Sequence, residues 1–277
     1  MEWHRLKNII ILILLLLNGF LLVLVATRRS EAARYERTAL ERTVAALADR
    51  GIEVDPGGLS GAGELLPLSL ERDPEAEQRL ARALLDEAVE ADNRGGGLYL
   101  YRGALGEVSI RAGGELSAAL ADSPVWDAVS PEDHAAALLS KMGVSARLLD
   151  TVTQGNRTVV RFRQLWSKVP VFSCEVEFVY ENGRLSSLQG TLLTAGPGAQ
   201  EPGEVLSLPT SLTRFLDGVT ATGDLCSALR SMEAGYRVSS QPLSGGVRLT
   251  AVWLVSSNTA DYYLDGATGA LTRLTGQ

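Results

Sequence analysis

The sequence predicts an α+β protein, in which one N-terminal transmembrane helix precedes an extracytoplasmic domain of antiparallel sheets with packed helices. Three observations support this fold class. A long uncharged run opens the chain, later stretches alternate polar and apolar residues as strands do, and one short motif occurs twice. Apolar residues make up 45% of the 277 residues, which is enough to form a hydrophobic core.

The uncharged run Ile9–Ala26 lies between Lys7 and Arg28. As a helix it would be about 27 Å long, close to the thickness of the hydrocarbon layer. A cleaved signal peptide is the alternative, but it would need a shorter run and a small-x-small cleavage site. We therefore expect a retained anchor after a short segment, residues 1–8. The flanking charges alone would place the C-terminal side in the cytoplasm, but long domains translocate largely regardless of charge.

Residues 27–50 predict a helical stalk that continues the membrane helix, with Gly51 as its stop. Its apolar residues at helical spacing are Tyr35, Leu40, Val44 and Leu47. Residues 51–128 predict an N-terminal α+β subdomain, which begins with a loop. The elements that follow the loop are a strand at Leu65–Leu70, a helix from Asp73 to about Ala91, and strands at Leu98–Tyr101 and Glu107–Arg111.

Residues 129–194 predict a helix followed by four strands. The helix begins at Ser130, because Ser-Pro-x-Asp is a good N-cap signature. From Phe172 to Tyr180 apolar residues alternate with polar ones, which predicts one buried face, and "ENG" at Glu181–Gly183 predicts a hairpin turn. The elements are Ser130–Met142, Arg147–Gln154, Thr158–Trp166, Val171–Tyr180 and Arg184–Thr194.

Residues 195–204 form a linker rich in Gly and Pro, and residues 205–277 predict a second unit of helices and strands. Its predicted helices are Pro209–Val219 and Thr222–Ala234. Its predicted strands are Tyr236–Ser239, Val247–Ser256, Asp261–Leu264 and Ala270–Leu274.

The two units share the motif G-x-L-x-x-L-x-G, at Gly183–Gly190 and Gly269–Gly276, with a similar order of elements around it. This predicts a duplication. The first Gly permits a positive φ in a turn. A regular strand would place the two leucines on opposite faces, so we expect either a bulge or a sheet that is covered on both faces. From Ser130 to Gln277 the pattern resembles PepSY-type modules, small α+β units of protease propeptides and membrane-tethered regulatory proteins.

Composition argues against several classes of function. The stretch Gly51–Gln277 has a net charge of −10, which opposes binding to nucleic acid. Two cysteines, Cys174 and Cys226, and two histidines do not make a usual zinc pattern, and we expect no metal or other cofactor. Whether the two cysteines form a disulfide stays open at this point.

No catalytic motif occurs in the sequence, so we expect a protein that is not an enzyme. Outside the anchor region the one histidine is His134, which we interpret as structural or solvated. Glu175 and Glu177 alternate with apolar residues, and we interpret them as the wet face of a strand. The pair Glu132 and Asp133 lies at a predicted helix start.

The first 25 residues resemble the YycI family of single-pass regulators of an essential cell-wall two-component kinase in Gram-positive bacteria. The matching residues are Glu2, Trp3, Lys7, Leu17, Asn18, Phe20 and Leu21. The resemblance implies a cytoplasmic N-terminus, an extracellular C-terminal domain in the cell membrane, and action with a sister protein, YycH, on the sensor histidine kinase. Whether the kinase is activated or repressed does not carry over.

Asn18 interrupts the apolar run near its middle, with Gly19 and Phe20 beside it. A buried amide in lipid either bonds its own backbone or seeks a partner on another helix. We therefore expect Asn18, Gly19 and Phe20 to bind a partner helix, of the kinase or of the YycH-like protein. The alternative function is a membrane-tethered PepSY-like module that binds or inhibits an extracytoplasmic protease or a wall ligand.

Overall fold

The computed structural model describes residues 2–61, 65–121, 123, 129–194, 196, 198–240 and 246–274. The helices within them are α1 (Glu2–Asp49), α2 (Pro74–Leu85), α3 (Pro131–Lys141) and α4 (Leu208–Thr222). The strands are β1 (Glu53–Val54), β2 (Leu68–Leu70), β3 (Glu90–Gly95), β4 (Leu98–Gly103), β5 (Gly106–Arg111), β6 (Glu115–Leu120), β7 (Ala146–Gln154), β8 (Arg157–Trp166), β9 (Val169–Glu181), β10 (Arg184–Thr191), β11 (Ala199–Gln200), β12 (Ala228–Ser240), β13 (Val247–Ser257), β14 (Asp261–Asp265) and β15 (Leu271–Arg273). The predicted fold class is confirmed: one apolar N-terminal helix precedes a mixed α+β domain of mainly antiparallel sheet.

The domain contains two units with the same order of elements. In the first unit α3 precedes the antiparallel meander β7–β8–β9–β10, and in the second α4 precedes the meander β12–β13–β14–β15. The second strand of each meander contains a tryptophan, but Trp166 ends β8 half-buried whereas Trp253 lies fully buried inside β13. The order of elements therefore repeats, but the register does not.

The shared motif has the predicted turn geometry. Gly183 and Gly269 have φ values of +73° and +74°, in the left-handed region that favours glycine. In the first unit the pairing of β10 with β9 shifts between Leu185 and Ser187, so the bulge, one of the two expected alternatives, is present. Both leucines of that copy, Leu185 and Leu188, are consequently buried in one core. The last residues of the second copy, 275–276, lie outside the described residues.

The segment before α3 divides between the two units. β1 pairs in parallel with β12, and β2 pairs with β13, so these two strands extend the sheet of the second unit. β3 to β6 extend the sheet of the first unit, because β6 pairs with β10. α2 packs on β4 and β5. Two hydrophobic cores result, one under α2 and α3 and the other under α4.

The long strand β9 joins the units, because its first half contributes Val171 and Cys174 to the second core and its second half contributes to the first core. A large register shift in the pairing with β8 lets Val171 pair with Tyr236 of β12. Phe172 is buried, as the alternation predicted, but it belongs to neither core. Its ring lies between the Arg163 guanidinium, 5.3 Å away, and the ring of Tyr263, 6.1 Å away.

Three predictions about secondary structure were wrong. α2 ends at Leu85 rather than near Ala91, because Asp86 adopts a φ of +79° and the chain turns into β3. Thr222–Ala234 is not a helix, because Gly223 caps α4 with a φ of +70° and β12 then pairs along its length with β13. The strands β3, which is exposed throughout, and β6, in which exposed and buried residues alternate, were missed.

Candidate functional site

The residues predicted to bind a partner lie on α1, in its apolar segment, Ile10–Arg28. In the part of the chain that the structure describes, this is the one helical segment long and apolar enough to cross a membrane, and none of it is buried in the protein. An unburied helix face of this length has no core of its own to join, which fits membrane anchoring.

Asn18 lies near the middle of the apolar segment. Its side-chain amide nitrogen donates a hydrogen bond to the carbonyl oxygen of Leu14, at 2.9 Å, one turn earlier. One N–H of the side-chain amide is therefore satisfied by the helix's own backbone, which is the first of the two arrangements expected from the sequence. Within the described residues no donor reaches its carbonyl oxygen Oδ1, so the amide keeps an acceptor for another molecule.

Gly19 and Phe20 directly follow Asn18, about 100° and about 200° further around the helix axis. No atom lies within 4 Å of the position a Cβ of Gly19 would take, so the helix is narrow and accessible there. Phe20 is exposed and points about 160° away from Asn18 around the helix axis, given about 100° per residue. One partner helix could contact Asn18 and Gly19 together, but not all three residues.

The remaining residues of the family motif lie in the first turns of α1. Trp3 and Lys7 are exposed, and the side chain of Glu2 lies outside the described residues. An exposed Trp beside a basic residue at the end of an apolar helix is typical of the membrane–water interface. With Trp3 76% exposed, packing against the folded domain does not explain this residue of the motif.

The other end of α1 docks on the second unit. One stripe of the helix turns toward α4, and its members are Ala39, Leu40, Thr43, Val44 and Leu47. Leu47 is 0% exposed within the second core, and Leu40 packs against that core. Tyr35, which the helical spacing had grouped with them, is 81% exposed, so docking begins above it. Between the apolar segment and the docked stripe the described side chains are exposed.

The chain leaves α1 through a fixed turn. Gly51 adopts a φ of +78°, and the amide nitrogen of Ile52 donates to the Leu47 carbonyl oxygen at 3.0 Å while that of Gly51 donates to Ala48 at 2.9 Å. This is a Schellman motif, and the buried side chains of Leu47 and Ile52 supply its hydrophobic contact. The next residues pair with β12 at once. The apolar segment is thus connected to the second core by one continuous helix.

The groups considered for chemistry are engaged in structural contacts. His134 is buried, its Nδ1 lies 2.8 Å from the Tyr180 hydroxyl oxygen, and burial lowers the pKa of the imidazole. Glu175 accepts hydrogen bonds from Arg163, and Glu177 accepts one from the Gln189 amide at 3.1 Å. Among the described residues no group of three or more His, Cys, Asp or Glu side chains is placed to hold a metal ion.

The first-turn carboxylates and the cysteines also have local roles. Asp133 accepts a hydrogen bond from the Ser130 hydroxyl in the N-cap of α3. Hydrogen bonds from backbone and hydroxyl groups hold the pKa of Glu132 below its ordinary value. Cys174 and Cys226 are both free thiols, so the disulfide left open by the sequence is not formed. Burial raises the pKa of the Cys174 thiol to about 12, which makes it unreactive.

No known family profile and no curated protein sequence matches this chain. The solved structures that are similar to it at low identity include the following two. An uncharacterised protein from Eubacterium rectale is 11% identical with a TM-score of 0.48, over 81% of this chain and 90% of that one. The C-terminal domain of YpeB from Bacillus megaterium is 14% identical with a TM-score of 0.39, over 75% of this chain and 100% of that one.

Proposed function

We propose that this chain is a non-catalytic, single-pass regulator of a sensor histidine kinase that controls cell-wall metabolism, acting with a YycH-like sister protein. The observation that carries the proposal is the continuous helix α1, which runs from the apolar segment into the core of the second unit. A flexible linker would suffice for a tether. A rigid connection between two contact surfaces is what a regulator needs to bias a partner in the membrane.

The YycI-like motif at the start of the chain supports the same proposal and gives the orientation: the N-terminus lies in the cytoplasm and the two units lie outside the cell. In this arrangement the outer units contact the kinase or the sister protein, and the apolar segment contacts their membrane helices. Regulation requires that the chain bind one conformation of the kinase better than another, because equal affinity for both would shift nothing.

Replacing Ile9–Ala26 by an unrelated apolar helix of equal length tests the proposal. We expect the hybrid to insert and to keep its outer domain, but to lose co-purification of the full-length kinase from detergent-solubilised membranes. The wild-type chain with the same affinity tag is the control. Retained co-purification by the hybrid would leave the segment as a mere anchor.

Asn18→Leu is the sharper variant. It removes the mid-membrane amide but should keep insertion, and interhelical hydrogen bonds of this kind contribute about 0.6 kcal/mol and at most about 2 kcal/mol. We expect kinase or sister-protein association to weaken about threefold to thirtyfold. Phe20→Leu, on the far side of the helix, is the matched control and should bind as wild type does.

The alternative is a tethered PepSY-like module that binds or inhibits an extracytoplasmic protease or a wall ligand. The two hydrophobic cores outside the apolar segment favour it, because they allow the outer region to form a binding surface without a partner helix. It predicts that a soluble fragment carries the activity. The fragment should begin at Glu31 rather than at Gly51, because Leu47 belongs to the core.

A further inference from the structure

The docked stripe and Asn18 lie on the same side of α1. They belong to one uninterrupted helix, in which Asn18 precedes Leu40 by 22 residues. At about 100° per residue, Asn18 lies about 40° from Leu40 around the axis, and Leu22 lies directly below Leu40. The side of the apolar segment that contains the polar residue is therefore the side on which the second unit sits.

The amide of Asn18 gives this side a preferred occupant. Its one hydrogen bond goes to the Leu14 carbonyl oxygen, and Oδ1 has no donor within the described part of the chain. In lipid an acceptor without a donor is costly, since no water replaces the missing bond. A second helix with Asn, Gln, Ser or Thr at the same depth would supply the donor, and Gly19 would let that helix approach.

The space above the membrane limits how far this occupant can extend. From Arg28 to Ala39 the helix rises about 16 Å, and the side chains described between these two residues are exposed. Above that level the same side is filled by α4 and the second core. A second copy of this chain would bring its own helix α1 straight upward. Helices in contact lie 8–10 Å apart, so that helix would meet the second unit of its neighbour.

We propose that the Asn18 side of α1 binds the membrane helix of a different protein, which lies beneath the second unit and ends or bends within about 16 Å of the outer membrane surface. This helix has a hydrogen-bond donor at mid-membrane depth. The identity of that protein, the kinase or the YycH-like protein, is taken from the proposed function, on which the inference rests. The inference adds that the second unit and the Asn18 side of the apolar segment face the same partner. Helix α1 then fixes the rotation of the second unit relative to the apolar segment.

Site-specific photo-crosslinking tests which side of α1 contacts the partner helix. The full-length chain is co-expressed with the tagged kinase and the tagged YycH-like protein, and benzoylphenylalanine is placed at Leu15 or Leu22, on the Asn18 side, or at Phe20 or Leu24, on the far side. We expect adducts with one of the two tagged proteins from the first pair, at about tenfold higher yield than from the second. Equal yields, a preference for the far side, or adducts between two copies of this chain would overturn the inference. If co-purification of the wild-type chain with the kinase persists in that case, the proposed function stands without it.

Insertions in the exposed stalk test the fixed rotation. Two alanines between Tyr35 and Glu36 turn the apolar segment by about 200° relative to the outer domain, whereas seven turn it by only about 20° and lengthen the stalk by about 10 Å. We expect the two-residue insertion to lower the Leu22 adduct at least about tenfold and the seven-residue insertion to keep at least about half of it. The opposite ranking, or no loss with either insertion, would show that the two surfaces act independently. Limited proteolysis of both variants confirms that the outer domain is folded.

Discussion

At the scale of single residues, burial gives a structural role to a side chain that could be mistaken for a catalytic group. His134 lies in the first turn of α3 and is buried against Tyr180, whose hydroxyl oxygen is 2.8 Å from Nδ1. The two rings also meet edge to face at 5.6 Å. Burial lowers the pKa of the imidazole below its ordinary value of 6.5, because the charged form loses its hydration. A histidine held neutral in this way stabilises the contact between α3 and β9.

The titration of His134 should appear in the pH dependence of stability. Below about pH 6.5 the unfolded chain binds a proton that the folded chain does not, so this contribution is complete above that pH and is lost as pH falls toward the lowered folded pKa. We expect the melting temperature of a fragment beginning at Glu31 to fall between pH 7 and pH 5. In His134→Asn the fall should be smaller, and parallel curves would contradict the assignment.

At the scale of elements, the hairpin β8–β9 has a strained turn. Ser167 and Lys168 both have positive φ values, of 49° and 71°, although neither is a glycine. The predicted hairpin β9–β10 uses Asn182 and Gly183 for the same two-residue geometry. Changing Ser167-Lys168 to Asn-Gly should therefore raise the free energy of unfolding by about 1 kcal/mol. Urea titration measures it, and a lower midpoint would exclude strain at this turn.

Local patterns predicted several of the elements that have one buried side. The α3 cap at Ser130, the turn at Asn182-Gly183 and the alternation from Phe172 to Phe178 are all present. The failures have a different physical origin. The region 228–240 has residues that suit a helix, and long-range pairing with β13 makes it a strand. β3 is exposed at every residue, so it lacks the alternation that marks a strand.

The junction between the units depends on a glycine that no local pattern marks. A Cβ on Gly235 would lie 2.6 Å from the Phe172 ring and 2.6 Å from the Pro170 carbonyl oxygen. Gly235→Ala should destabilise the fold by roughly 1–3 kcal/mol, because both strands must move apart. Gly113→Ala is the matched control, since no atom lies within 4 Å of its Cβ position, and it should change stability by less than about 0.5 kcal/mol. Equal effects of the two substitutions would show that the close approach at Gly235 is not a constraint.

On the scale of the whole molecule, the boundary between anchor and domain does not lie where the sequence suggests. Gly51 ends the helix, so a cut there looks natural. However, the last turns of α1 contribute to the core that α4 and β12–β13 enclose, and the strand that follows the turn pairs with β12. The same residues thus stabilise the second unit and hold the apolar segment in a fixed orientation. Composition could locate the helix but not this docking, which depends on the distant residues of α4.

The dependence of the second unit on α1 gives the last prediction. Leu47 is fully buried, and Leu→Ala changes at such sites cost about 2–5 kcal/mol. In a fragment spanning Glu31–Gln277 we expect Leu47→Ala to lower the free energy of unfolding by this amount, and we expect a fragment beginning at Gly51 to lose the cooperative transition of the second unit. Tyr35→Ala, at an exposed position of the same helix, should stay within about 0.5 kcal/mol of the parent. Denaturant titrations followed by tryptophan fluorescence compare the variants, because Trp253 lies fully buried in the core that Leu47 completes. A fragment beginning at Gly51 that unfolds with the same midpoint as the longer one would show that α1 merely adjoins the domain, and a rigid link through the stalk would then have no structural basis.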